Sequence, residues 1–314
     1  MEATLPESGA VSGAPPRTRV ARRTRSRSAR DAWVFVACVA PNVALIIAFI
    51  YRPLISNIYY STLDWSLGDR YATRVGFGNY VQFFTGSDAG TILGTTAIFT
   101  IATVGGSMII GLALSLVLNQ RLIGRGFARA TVFAPYVLSG VGIGLVWTFI
   151  FDPTTGALSD ILRGLGLSAP NWFGNPHLTL LMVIIVYVWK NLGYCAVIYL
   201  AALQAVPGDV LEAASIDGAG AWNRFWRVTL PLISPTTFFL LLTTILSSLQ
   251  AFDLLYIISP QGYGTNTLMF ATYYQAFQAS QAGYSAAIST ILFAILLIMT
   301  VIQMVLIERR VHYR

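Results

Sequence analysis

The residues able to do chemistry in this 314-residue chain are few, and most gather between positions 190 and 253. Lys190 is the only lysine among 20 basic residues and stands inside an apolar run, as Asp253 does in another. Between them lies PGDVLEAASIDGAGAWNRFWRVTLPLISP, residues 207–235, with Asp209, Glu212, Asp217, Arg224 and Arg227 beside Trp222, Phe225 and Trp226. An ionisable group set within hydrocarbon is costly and points to function by default. Lys190 therefore has two readings: it attracts an anionic substrate, or it pairs with Asp253 as part of the scaffold. Neither makes the chain an enzyme. The sole lysine follows Trp189, so the sequence has no phosphate-cradling G-x-x-x-x-G-K-[ST] loop. His177 and His312 are isolated from each other and give no metal-ligand spacing. Cys38 and Cys195 lie in apolar runs and read as inert buried thiols rather than a disulfide framework.

The stretch 207–235 carries local signals for a short helix–turn–helix. Pro207 and Asp209 suit a first turn, Ala213 and Ala214 favour helix, and Gly218 and Gly220 break it. Trp222, Phe225 and Trp226 against Arg224 and Arg227 give a second amphipathic piece, and Pro231 and Pro235 mark the start of the next apolar run. Exposed aromatics with mixed charge suit docking on a partner protein. They suit a helix resting on lipid headgroups equally well.

These residues must be positioned by the rest of the chain, which is 55% hydrophobic and 11% charged. A soluble domain carries roughly 25% charged residues. Six apolar runs, at about 33–51, 92–118, 131–151, 178–203, 234–258 and 284–307, are each near or above the ~20 residues that cross a bilayer. Continuous runs without alternation predict helices rather than a closed barrel. The expected fold is all-α, a polytopic membrane protein of six transmembrane helices.

Orientation follows from arginine. With the N-terminus inside, fifteen basic residues fall on the inner side and four (Arg52, Arg70, Arg74, Arg163) on the outer. Seven of the fifteen lie between Arg17 and Arg30, so residues 1–32 are expected as a disordered basic cytoplasmic tail ahead of a six-helix transmembrane domain over 33–314. The net charge of +7 is thus an orienting anchor, not a nucleic-acid surface. The first run is too long for the core of a secretory signal, and no small-residue cleavage site follows it. The loop at about 204–233 becomes cytoplasmic, between the fourth and fifth spans.

Glu212-Ala213-Ala214, Asp217-Gly218-Ala219, Phe225, Leu230-Pro231 and Pro235, led by Leu203-Gln204-Ala205-Val206-Pro207, resemble the EAA loop of binding-protein-dependent ABC importer permeases. That loop also lies between the fourth and fifth of six spans. Phe77-Gly78-Asn79-Tyr80, Phe133-Ala134-Pro135-Tyr136, Val146-Trp147, Phe151-Asp152-Pro153 and Gly156 look like the sugar-type branch. The stretches Trp189-Lys190-Asn191-Leu192-Gly193-Tyr194 and Leu249-Gln250-Ala251-Phe252-Asp253 are similar to A-subunit permeases for glycerol-3-phosphate or glycerophosphodiesters.

The resemblance implies a type I ABC importer permease fold in a bacterial plasma membrane, with both termini cytoplasmic. It implies a second homologous permease subunit, two ATPase subunits and an extracytoplasmic substrate-binding protein as partners, with membrane lipid around them. No cofactor belongs to this chain, since ATP and Mg bind the ATPase subunits. The EAA loop would be the coupling helix, with Glu212 facing a basic group of the ATPase and Gly218 allowing the bend. The contact would run through Ala213, Ala214, Asp217, Ala219, Phe225 and Pro231. The spans flanking the loop would line the substrate path with Lys190, Asn191 and Tyr194 on one side and Ser247, Gln250 and Asp253 on the other. Tyr136, Trp147 and Trp189 could stack on a sugar ring or simply pack. A cation favours a phosphorylated cargo; a neutral sugar or oligosaccharide is the alternative. An ion-coupled secondary transporter is an alternative of another class, but it would show internal repeats and would not need the loop.

Overall fold

The computed structural model describes residues 24–120 and 123–307. The arginines before Thr24, Arg121 and the basic end with His312 lie outside the described residues. The chain divides into two units at Ile55 and Ser56. The described part of the first is helical throughout: α1 (Thr24–Ile46), a π-turn (Ile47–Tyr51) and the start of α2 (Arg52–Tyr60). Helix therefore begins inside the stretch expected as tail and continues through Arg52 and Pro53, beyond the end of the first apolar run at about 51. Proline lacks the N–H that an α-helix needs and crowds the preceding turn. The wider turn ahead of Pro53, closed by Arg52 N–H donating to Ile47 O, absorbs that defect and lets the helix continue.

The second unit adds a two-residue antiparallel ladder, β1 (Leu63–Asp64) and β2 (Thr73–Arg74), then α3 (Gly78–Thr85) and α4 (Ala89–Leu118). There follow α5 (Arg125–Val137), α6 (Gly140–Ile150), α7 (Ala157–Gly164) and α8 (Pro176–Ala205). Next come α9 (Gly208–Ile216), α10 (Ala221–Arg224), a π-turn (Phe225–Thr229), α11 (Leu230–Leu232) and α12 (Ser234–Leu249). The chain closes with α13 (Asp253–Ile258), α14 (Leu268–Tyr273), a third π-turn (Tyr274–Gln278) and α15 (Ala282–Ile307). Among the described residues, Ala32–Tyr60, Ala89–Leu118, Pro176–Ala205, Ser234–Ile258 and Ala282–Val305 are each long and apolar enough to cross a membrane.

The third expected span is not one rod. α5 and α6 meet at 98°. Leu138 and Ser139 are extended, and Gly140, Gly142 and Gly144 follow, so the backbone turns where helix propensity is weakest. Each half finds its own neighbour. α5 crosses α8 at Gly193, where a Cβ would overlap the Val132 carbonyl. α6 rests on α13 through Gly140 and Gly144, the latter placing an added Cβ 2.7 Å from Ile257 Cγ2. The same close approach joins α4 to α8, where a Cβ on Gly111 would come within 2.6 Å of Cys195 Cβ. Small residues that let backbones meet drive helix association in lipid, where apolar burial alone gives no advantage.

The stretch 259–283, between the fifth and sixth expected runs, contains α14 and a π-turn and is packed on the core at its middle. Thr267 caps α14, Leu268 N–H donates to Thr96 Oγ1 of α4 at 2.9 Å, and Leu268 and Phe270 are in the core. Cys195 is buried as expected, but Cys38 is exposed. Apolar sequence around a thiol marks hydrocarbon surroundings as readily as a protein interior, so it does not decide burial.

Candidate functional site

Four helices enclose a cavity of about 220 Å³: α4 gives Thr103, Val104 and Ser107, α5 gives Tyr136, α8 gives Tyr187, Asn191 and Tyr194, and α12 gives Thr243, Thr244 and Ser247. Nine of these ten residues carry a hydroxyl or amide group. Thr103 and Ser248 share a hydroxyl hydrogen bond of 2.8 Å across α4 and α12. Tyr187 OH donates to Ser247 O at 2.9 Å, and Asn191 Nδ2 donates to Tyr187 O at 2.8 Å. Tyr136 stacks on Tyr194 with centroids 4.9 Å apart. Ser107 Oγ is buried and has no hydrogen-bond partner, which leaves an unpaired donor and acceptor at the cavity. The wall carries no charged side chain and is built to exchange hydrogen bonds with a polar solute.

Of the expected path residues, Asn191, Tyr194 and Ser247 come together in this wall. Lys190 does not line it. Its Nζ lies 3.4 Å from Tyr136 O and 5.6 Å from the centre of the Tyr136 ring. Gln250 is the exposed residue that ends α12, and Asp253 opens α13 beyond a break in the fifth span. The pairing of Lys190 with Asp253 is not formed. Among the described residues, the one ion pair within 4.0 Å is Arg163–Asp160. The reason is geometric: Lys190 faces α5, whereas Asp253 is packed on Gly140 at the start of α6. Trp147 and Trp189 meet edge to face at 5.3 Å, outside the cavity wall.

Sequence reasoning missed Thr103, Ser107, Thr243 and Thr244. The signal was there as hydroxyls spaced four apart, at 103 and 107 and again at 243 and 247, in spans otherwise apolar. That spacing puts them on one helix face.

The loop between α8 and α12 closes as a defined unit. Asp217 N–H donates to Ala213 O at 3.0 Å, Gly218 N–H to Ser215 O at 3.1 Å and Ala219 N–H to Ala214 O at 3.0 Å. Gly218 takes φ +79°, the left-handed turn that a Schellman-type helix end requires. Glu212, Asp217, Trp222 and Pro231 are exposed, while Ala214, Ala219 and Phe225 are half-buried. Ile216 and Trp222, two large apolar side chains of this loop, are 87% and 72% exposed. Trp226 packs edge to face on both Trp222 and Phe225.

The family model for binding-protein-dependent transport system inner membrane components matches residues 107–313. The sn-glycerol-3-phosphate transport system permease protein of Agrobacterium fabrum is 34% identical over 88% of this chain and 94% of its own length. A probable ABC transporter permease protein of Bacillus subtilis is 30% identical over 82% of this chain and 90% of its own. A chain of a bacterial ABC transporter that imports the acidic polysaccharide alginate superposes with a TM-score of 0.80 at 21% identity. That match covers 90% of this chain and 98% of the other. The shared fold is the type I permease fold.

Proposed function

This chain belongs to the binding-protein-dependent transport system inner membrane components, as an ABC importer permease subunit, and we propose that its cargo is sn-glycerol-3-phosphate or a glycerophosphodiester such as glycerophosphocholine. The observation that carries the translocation role is the uncharged, hydroxyl- and amide-lined cavity between α4, α5, α8 and α12. Two of those helices, α8 and α12, are the ones joined by the α9 loop. Movement of that loop is transmitted directly to the cavity walls, as a short rigid element does between two-state domains.

In this reading α9 lies on the cytoplasmic side with both termini and fits a groove of a partner ATPase, Glu212 facing a basic group there. Ile216 and Trp222 are covered by that partner. Two ATPase subunits, a second permease subunit and an extracytoplasmic binding protein complete the importer. This chain supplies the path; the partner ATPases supply hydrolysis. Asn191, Tyr194, Ser247 and Ser107 exchange hydrogen bonds with the glycerol and phosphate oxygens of the cargo. The name of the Agrobacterium relative supports this cargo. The absence of charge in the wall supports a second reading, a neutral sugar or oligosaccharide.

Uptake into vesicles that contain ATP, with the whole importer reconstituted and its binding protein outside, separates the two. Glycerol-3-phosphate, glycerophosphocholine and a neutral disaccharide are compared. Uptake of a phosphorylated compound is expected. Uptake of the disaccharide alone overturns the cargo and leaves the importer intact, and uptake driven by an ion gradient without ATP overturns both.

A further inference from the structure

We propose that Lys190 and Asp253 are positioning residues that each hold one end of the broken third span, Lys190 the carboxyl end of α5 and Asp253 the amino end of α6. A break inside a span creates a specific difficulty. It leaves up to four carbonyls on one helix end and four N–H groups on the next without partners, at a depth where water does not satisfy them. The ends also carry opposite partial charges, negative at the carboxyl end and positive at the amino end.

Each end meets a charge of the matching sign. Lys190 Nζ donates to Tyr136 O at 3.4 Å, in the last turn of α5. Ser139 occupies the cap position of α6 but makes no side-chain cap bond. The Asp253 carboxylate lies against this end, packed so closely on Gly140 that a Cβ at that position would overlap Oδ2, and acts on the helix end by its charge rather than by a cap hydrogen bond. Glycine recurs at these contacts for this reason. Gly193, three residues after Lys190 on the same face of α8, admits the backbone of α5, and Gly140 admits the carboxylate. The device has a parallel at the end of α4, where Arg129 donates to Leu118 O at 3.4 Å.

The consequence reaches the cavity through Tyr136. Its carbonyl is held by Lys190, while its ring stacks on Tyr194 in the cavity wall. Lys190 thus sets the wall without touching the solute, and this role does not rest on the identity of the cargo.

The test uses the assembled importer in vesicles, in a Cys38→Ala background. Spin labels at Thr131→Cys on α5 and Leu145→Cys on α6, both exposed positions, report the distance across the bend. Lys190→Met and Asp253→Asn are each expected to broaden that distance distribution and to lower maximal uptake about tenfold, the factor given by loss of one strong charge–dipole contact. KM changes less than about twofold, as for a group that does not touch the substrate. Lys190→Arg keeps both properties. The exchanged pair Lys190→Asp with Asp253→Lys is worse than either single variant, because both charges then face the wrong helix end. Recovery of uptake in the exchanged pair overturns the proposal in favour of a mutual ion pair. A rise in KM confined to phosphorylated cargo, with the distance unchanged, overturns it in favour of a substrate ligand. Should Lys190→Met not assemble, the near-isosteric Asp253→Asn decides, an unchanged distance there overturning the proposal. The distance needs no cargo, so failure of the glycerol-3-phosphate reading is read separately from failure of this one.

Discussion

Asp152 follows α6 outside the spans, and its Oδ1 accepts from the Thr154 hydroxyl at 2.7 Å and from the N–H groups of Thr154 and Thr155, both at 2.8 Å. These bonds, the Thr154 hydroxyl foremost, hold its carboxyl down at about 2. The folded value lies below the unfolded one, about 3.9. The turn therefore contributes its stability above about pH 4 and loses it as pH falls towards 2. Asp152→Asn keeps an acceptor but cannot titrate, so its melting temperature is expected to fall less steeply than wild type between about pH 4 and 2. Melting in detergent across that range checks this, and parallel curves would refute it. Steric contacts are equally local. Gly193→Ala drives a methyl into the Val132 carbonyl and is expected to cost about 1–3 kcal/mol in the same assay. Gly142→Ala, with nothing within 4 Å, is the neutral control. The turn at Asp152, Pro153 and Gly156 was legible in the sequence as a motif. The burden on Gly193 was not, because nothing near it in the chain names Val132 as its neighbour.

At the scale of elements, the α9 loop was the most legible part of the molecule. Its helix, its glycine and its return to the next span all follow from residues within a few positions of one another, and the structure has them in that order. Gly218→Ala is expected to destabilise the left-handed turn by about 1–2 kcal/mol, seen as faster amide exchange over residues 208–219 with no change in α4 or α8. Exchange rising equally everywhere would show that the loop is not an independent unit. Ser280 offers the converse, since it is the one described non-glycine residue with positive φ, at +58°. Ser280→Gly is expected to add roughly 0.5–1 kcal/mol of stability, read as a slightly higher melting temperature. The third span was the least legible element. Its apolar length reads as a single rod, and only the packing of Gly193 on α5 and of Gly140 and Gly144 on α13 gives two halves separate places to lie.

For the whole molecule, the deciding object is a cavity that no single segment contains. Its wall takes residues from α4, α5, α8 and α12, more than 140 positions apart between Thr103 and Ser247. Asn191→Ala and Ser247→Ala are each expected to raise KM for uptake about tenfold while leaving ATPase activity without cargo unchanged, as loss of hydrogen bonds to a bound solute does. An unchanged KM in both would move the path elsewhere. The class was legible in the chain alone: composition and run length dictate membrane helices, and the loop between the fourth and fifth spans identifies the family by contiguous residues. Both signals are local, so one strand of sequence can carry them. Which of those residues face one another was decided only by the tertiary structure. In lipid every span is apolar on most of its surface, so periodicity does not mark the inner face. Close approach at glycines and the satisfaction of broken helix ends then set the pairings. For that reason Lys190 and Asp253, natural partners by charge, stand at two different helix ends rather than with each other.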